Sequence, residues 1–93
     1  MERGRRMRIA IFSNNGKVSN LVAKQLKSGI NHSYGLKLDG LNPQMVISIG
    51  GDGTLLSAFH HYNDSIDKIR FIGIHTGHLR FGDYHAEGPE LIR

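Results

Sequence analysis

The chain of 93 residues contains no cysteine. That excludes a disulfide framework to reinforce a small core and a thiolate zinc site, so any chemistry falls to oxygen, imidazole and backbone groups. No apolar run approaches the ~20 residues of a bilayer span, and no charged start leads into an apolar stretch with a small-residue cleavage site. The expectation is a cytoplasmic chain with no membrane partner. Repeats and low-complexity segments are lacking. So are the interleaved aromatics and basic helix face of nucleic-acid modules, and no nucleic acid is expected as a partner. Six histidines invite a metal site. Yet the adjacent His60 and His61 would point apart on a helix, and no carboxylate stands at a recognised ligand spacing from His75 and His78. No metal ligand is assigned, and His75 and His78 are expected to shape their loop by hydrogen bonding.

What is present fits one small globular domain over residues 1–93. Hydrophobic residues make up 39% and charged residues 22%, without the polar bias of disordered segments. At this size folding hides only about 60 to 65% of the surface of the unfolded chain. The net charge of +4 draws on Arg3, Arg5, Arg6 and Arg8. Residues 1–6 are therefore expected to be a solvated basic extension ahead of the first strand.

Apolar runs and amphipathic stretches alternate along the chain. Ile9-Ala10-Ile11-Phe12 suits a strand covered on both faces. Val18, Leu21, Val22 and Leu26 recur at helical spacing, predicting a helix over residues 17–28 with Ser13, Asn14 or Asn15 as cap and Gly29 as stop. One short strand is allowed among Leu36, Leu38 and Leu41. Met45-Val46-Ile47-Ser48-Ile49 is the clearest strand. Leu55, Ala58, Phe59 and Tyr62 form the apolar stripe of a following helix, and Phe71-Ile72-Gly73-Ile74 is the last strand. Strand–helix alternation with right-handed crossovers predicts an α/β fold, a Rossmann-like parallel sheet with flanking helices. Ligands bind outside the carboxyl ends of such strands, which are left by the loops at residues 13–16, 50–54 and 75–81.

The second loop, Gly50-Gly51-Asp52-Gly53-Thr54, carries the most information. Gly50 and Gly51 permit backbone conformations closed to other residues and let a ligand approach without a Cβ in the way, and Gly53 does the same beyond the acid. A helix N-terminus there favours phosphate, yet Asp52 would repel it. Three roles stand open for Asp52: deprotonating a hydroxyl, holding a divalent cation, or capping the helix at Leu55.

The stretch from Pro43 through Val46-Ile47-Ser48-Ile49-Gly50-Gly51-Asp52-Gly53-Thr54-Leu55-Leu56 and Phe59-His60 to Phe71-Ile72-Gly73-Ile74-His75-Thr76-Gly77-His78-Leu79 resembles the N-terminal domain of bacterial NAD kinases. The Gly-Gly-Asp-Gly-Thr motif is shared with diacylglycerol and sphingosine kinases and, loosely, with 6-phosphofructokinases. The run Gly73 to Leu79 with Phe81 is similar to the NAD kinase loop that borders the dinucleotide, and those other kinases do not share it. The resemblance implies phosphoryl transfer from ATP, or from inorganic polyphosphate, to the adenosine ribose 2′-hydroxyl of NAD, giving NADP with a divalent metal, magnesium by preference. It implies Asp52 as the general base, Gly50, Gly51, Gly53, Thr54 and Leu56 as nucleotide-binding residues, and Phe81 near the adenine. It also implies a homo-oligomer for the full-length family.

Two departures accompany the resemblance. Arg80 stands where the family usually has glycine, and is expected to strain the loop or intrude on the pocket. The family's Asn-Glu or Asn-Asp substrate motif and β-sandwich domain have no counterpart in these 93 residues. The expectation is an N-terminal piece of an NAD kinase with little or no turnover by itself. The alternatives are a non-catalytic nucleotide-binding or assembly module and, third, a piece of a lipid kinase of the diacylglycerol type.

Overall fold

The computed structural model describes residues 6–76 and 80–84, the last five through their backbone. The elements run β1 (Met7–Ser13), α1 (Lys17–Asn31), β2 (Leu36–Leu38), β3 (Met45–Gly50), α2 (Asp52–His61), a short 3₁₀ stretch (Asn63–Lys68), β4 (Arg70–His75) and β5 (Arg80–Tyr84). They build one sheet in the order β2-β1-β3-β4-β5. The first four strands are parallel and β5 is antiparallel to β4. The α/β architecture expected from the alternating pattern is the one found. From β1 the chain crosses to β2 in one direction, and from β3 it crosses to β4 in the other. Right-handed crossovers of opposite direction put α1 and α2 on opposite faces of the sheet.

Alternation along the strands divides the core. On the α2 face, Ala10, Val46 and Phe71 pack with Leu55, Ala58, Phe59, Tyr62 and Ile69, so the whole stripe expected for this helix is used. The rings of Phe59 and Phe71 meet edge to face, 4.7 Å between centroids and 85° between planes, an arrangement the ring quadrupoles favour. On the other face Ile9 and Ile49 are buried together with Ser19, Ala23 and Ile30 of α1.

Helix α1 corrects the sequence expectation in three respects. Val18 and Leu21 of the expected stripe are 50% and 59% exposed, while Val22 and Leu26 are half-buried; the fully inward positions are Ser19, Ala23 and Ile30, at i, i+4 and i+11. Two small side chains let the helix approach the sheet, and the Ser19 hydroxyl is satisfied by a 3.0 Å hydrogen bond with Thr76 Oγ1, which removes the penalty for burying it. The helix also runs through Gly29 to Asn31, because buried Ile30 draws the last turn onto the sheet. Its cap position is Gly16, with no side-chain cap. Asn14 and Ser13 shape the turn ahead of it: Asn14 Oδ1 accepts the Gly16 N–H at 2.8 Å and Ser13 Oγ the Asn15 N–H at 3.2 Å, with Asn15 at φ 68°. Asn tolerates that left-handed conformation better than most residues.

The allowed short strand is β2, whose three residues pair with Met7, Arg8 and Ile9. The loop beyond it is held by Asp39, whose carboxylate accepts N–H bonds from Leu41 and Asn42, each 3.0 Å. The Asn42 and Leu41 amides hold its carboxyl below the usual value. Tyr62 donates its hydroxyl to the Gly40 carbonyl at 2.7 Å, tying this loop to the core. Strand β5 lies where a loop to residue 81 was expected. Its backbone closes the free edge of β4 from His75↔Arg80 to Phe71↔Tyr84. Arg80 thus opens a strand, and its side chain lies outside the described residues, as do residues 1–5.

Replacing Tyr62 by Phe removes one partly buried hydrogen bond. Urea denaturation should show a loss of about 1 kcal/mol. Burial, and secondarily the charge of Asp39, raises the Tyr62 phenol above its ordinary value of 10.0. The stability it lends is whole below about pH 10 and lost as pH rises through the folded value. Tyr62→Phe should flatten that alkaline decline, and an unchanged decline would assign it to another group.

Candidate functional site

The sheet order reverses between β1 and β3, and a crevice opens at the carboxyl ends of such a pair of strands. Asn14 follows β1, the Gly50–Thr54 loop leaves β3, and His75 ends β4. Three hydrogen bonds bind these segments into one rim. Asn14 N–H donates to the Ile49 carbonyl at 3.0 Å and Thr76 N–H to the Gly50 carbonyl at 3.1 Å, while the Ser19–Thr76 hydroxyl pair ties the rim to α1. The convergence expected of the three loops is thus met as far as Thr76. Gly77, His78 and Leu79 lie outside the described residues.

The glycines of the second loop differ in what requires them. Gly50 has φ +152°, and a Cβ there would stand 2.5 Å from Thr54 Oγ1 and 3.0 Å from Asn14 Cβ. No other residue fits. Gly51, in contrast, has φ −138°, open to any residue, which corrects the expectation of a special backbone there. Among the described residues, nothing lies within 4 Å of where a Cβ would project from Gly51 or Gly53. These residues leave both places vacant, and glycine keeps the neighbouring amides bare.

Helix α2 begins at Asp52, three residues before the expected Leu55, with Gly51 at its cap and no side-chain cap. The N–H groups of Thr54 and Leu55 turn back to the Gly51 carbonyl, at 3.1 and 3.2 Å. Asp52 is therefore the first helical residue, where the positive end of the helix dipole favours a carboxylate; the capping role once open for it is not the one it fills. Its side chain is 45% exposed and that of His75 14%. Asp52 Oδ1 is nonetheless buried, with no hydrogen-bond partner among the described residues, and lies 3.7 Å from His75 Nε2. The exposed part of the carboxylate is consequently the Oδ2 side. Thr54 packs over Gly50, and Leu56 leans on the α2-face core.

Among the described residues, no three His, Cys, Asp or Glu side chains cluster suitably to hold a metal ion. Phe81 pairs with Ile74 through its backbone in β5, and its side chain lies outside the described residues. His61, at the end of α2, sets its ring edge-on to Phe12 at 5.3 Å. A separate cavity of about 340 Å³, lined by Lys27, Asp39, His61 and Tyr62 among others, contains none of the expected site residues. Sequence reasoning missed Asn14 beside Gly50 and His75 beside Asp52. The parallel register would have signalled the second, since it sets His75 opposite Gly50, two residues before the acid.

The ATP-NAD kinase N-terminal domain family matches residues 5–83. An NAD kinase of Levilactobacillus brevis is 59% identical over 90 residues, 92% of this chain and 33% of that protein. One of Latilactobacillus sakei subsp. sakei is 55% identical over 75 residues, 81% of this chain and 28% of that protein. One of Leuconostoc citreum is 52% identical over 75 residues, with the same coverage of 81% and 28%. The chain spans about a third or less of the length of the curated relatives it matches.

The glycines give a contrast measurable by thermal or denaturant unfolding. Gly50→Ala meets both the positive φ and the Thr54 and Asn14 side chains, and should cost about 2 kcal/mol or more. Gly53→Ala, in an open helical position, should be neutral or stabilise by up to about 1 kcal/mol. Equal stabilities for the two variants would contradict the described loop.

Proposed function

The chain belongs to the NAD kinase family, and on that footing we propose that it supplies the catalytic acid and the nucleotide loop for phosphoryl transfer from ATP to the adenosine ribose 2′-hydroxyl of NAD, giving NADP. The observation that carries this reading is the placement of Asp52: a carboxylate on the first turn of α2, half exposed at the crevice, with the glycine on either side left uncrowded by the described residues. A carboxylate repels bare phosphate, so its partner is better a hydroxyl than a phosphoryl oxygen. In the proposed step Asp52 takes the proton of the 2′-hydroxyl as that oxygen bonds to the γ-phosphorus. The bond from the γ-phosphorus to the bridging oxygen breaks and ADP leaves. The transition state is loose and spreads charge over the phosphoryl oxygens, so positioning and electrostatic stabilisation are the main demands. Backbone N–H groups at the start of α2 and the helix dipole answer the second demand.

Inorganic polyphosphate is the alternative donor, with the same bonds formed and broken. Magnesium belongs to the proposal as the ion that accompanies the phosphates; the described residues make no cage for it, and no step is derived through it. Gly50, Gly51, Gly53, Thr54 and Leu56 are assigned to the nucleotide loop, and Phe81 to the adenine. Residues 1–6 are assigned to a solvated extension. A cytoplasmic homo-oligomer is the proposed setting; no helix among the described residues is long and apolar enough to cross a membrane.

A chimera tests the assignment. Residues 6–76 of this chain replace the matching segment of the Levilactobacillus brevis NAD kinase, and NADP formation is followed with ATP, NAD and magnesium. The chimera should form NADP, and Asp52→Asn in it should lower kcat by about 10²- to 10⁴-fold, the range of a lost general base. Unchanged turnover with Asp52→Asn would overturn the catalytic role and favour a binding or assembly module.

A further inference from the structure

Resting on the assignment of Asp52 as base, we propose that His75 is a positioning residue for its carboxylate: His75 presents an Nε2–H to the inward Oδ1, so that Oδ2 alone meets the substrate hydroxyl. Three observations converge on this. Oδ1 is buried without a hydrogen-bond partner among the described residues. His75 Nε2 stands 3.7 Å from that oxygen. The two side chains differ in exposure, the imidazole largely enclosed at 14% and the carboxylate open at 45%, so the pair is layered, with the ring behind the acid and the acid at the crevice.

A buried carboxylate oxygen requires a donor. A separation of 3.7 Å is longer than a hydrogen bond, and about half an ångström of approach by the carboxylate brings it into range. The imidazole is carried at the end of β4. His75 pairs with Gly50 on one side and with Arg80 on the other. The next residue, Thr76, donates its N–H to the Gly50 carbonyl and shares a hydrogen bond with Ser19. The acid therefore sits at a helix start and its partner at a strand end, both referenced to the backbone of Gly50. With Oδ1 engaged, the carboxylate loses its rotation about the Cβ–Cγ bond and offers one oxygen in one direction, which is what orientation in a phosphoryl transfer demands.

The arrangement is testable on the 93-residue chain without substrate, so its outcome is independent of whether the chain phosphorylates NAD. Long-range ¹H–¹⁵N correlation at pH 8, where imidazoles are ordinarily neutral, reads which ring nitrogen carries hydrogen. His75 should show the Nε2–H tautomer, and Asp52→Ala should shift its ¹⁵Nε2 resonance, since the carboxylate that faces this N–H is gone. The Asp52 ¹³Cγ resonance should move in His75→Leu and return toward its original position in His75→Gln, which restores an N–H donor of similar reach; a packing role alone would give no such rescue. A His75 ring with Nε2 unprotonated in the unsubstituted chain would overturn the proposal. So would an Asp52 ¹³Cγ signal unmoved in a folded His75→Leu variant. If these signatures hold while the chimera with Asp52→Asn keeps its turnover, the positioning contact stands and the assignment of Asp52 as base falls.

Discussion

Gly50 is the backbone point against which the rim of the crevice is set. Its φ of +152° turns the chain from the end of β3 into the start of α2. The space a Cβ would have occupied is filled by Thr54 from one side and Asn14 from the other, and its carbonyl receives the amide of Thr76. Three segments from three strands thereby take their positions from one residue. The register of the sheet delivers it there: Ser13 pairs with Ile49, and Gly50 with His75, so the ends of β1, β3 and β4 are brought level. Without that alignment the loops would still be polar and glycine-rich, but they would not share a site.

The parts of this arrangement legible in the sequence are those encoded locally. The β3 run and the α2 stripe were readable because Val46 and Ile49 of the first and Leu55, Ala58, Phe59 and Tyr62 of the second became buried core residues. Helix α1 was misread by its stripe, because the pattern weighs Val18 and Leu21 as apolar and Ser19 as polar. Burial of Ser19 depends on a hydroxyl 57 residues away in sequence, at Thr76, and no local pattern contains that partner. Strand β5 was missed for a related reason. Arg-Phe-Gly-Asp-Tyr has weak strand propensity, and what orders it is the open edge of β4, a tertiary template that outweighs local preference. The loop motif singled out Asp52, whereas its approach to His75 belongs to the register between two strands.

The electrostatics of the crevice follow a division of labour. A helix N-terminus attracts phosphate, yet the first residue of that helix is an acid that repels it. The conflict resolves if the two address different groups of one ligand: the amides and dipole face phosphoryl oxygens, and the carboxylate faces an uncharged hydroxyl from which it withdraws a proton. Such an acid must be exposed on one side, and it must not spend its charge on its own helix. Asp52 meets both conditions, since it stands one residue past the cap, with its outward side open and its inward oxygen turned toward an imidazole.

This division also separates what the fold requires of the loop from what it leaves vacant. Gly50 is dictated by the chain itself, through a backbone angle and two side chains that crowd it. Gly51 is not, for its backbone is extended and no described residue crowds it; nor is Gly53, whose helical position would accept alanine at an energetic advantage. A glycine that the fold does not need leaves a gap on the outer surface of the loop and bare amide groups beside it. At Gly51 and Gly53 those gaps flank a single acid at the carboxyl end of a parallel sheet, where the strand order reverses. These two vacancies point to a ligand more firmly than Gly50 does, because a position that packing alone explains says nothing about what binds there.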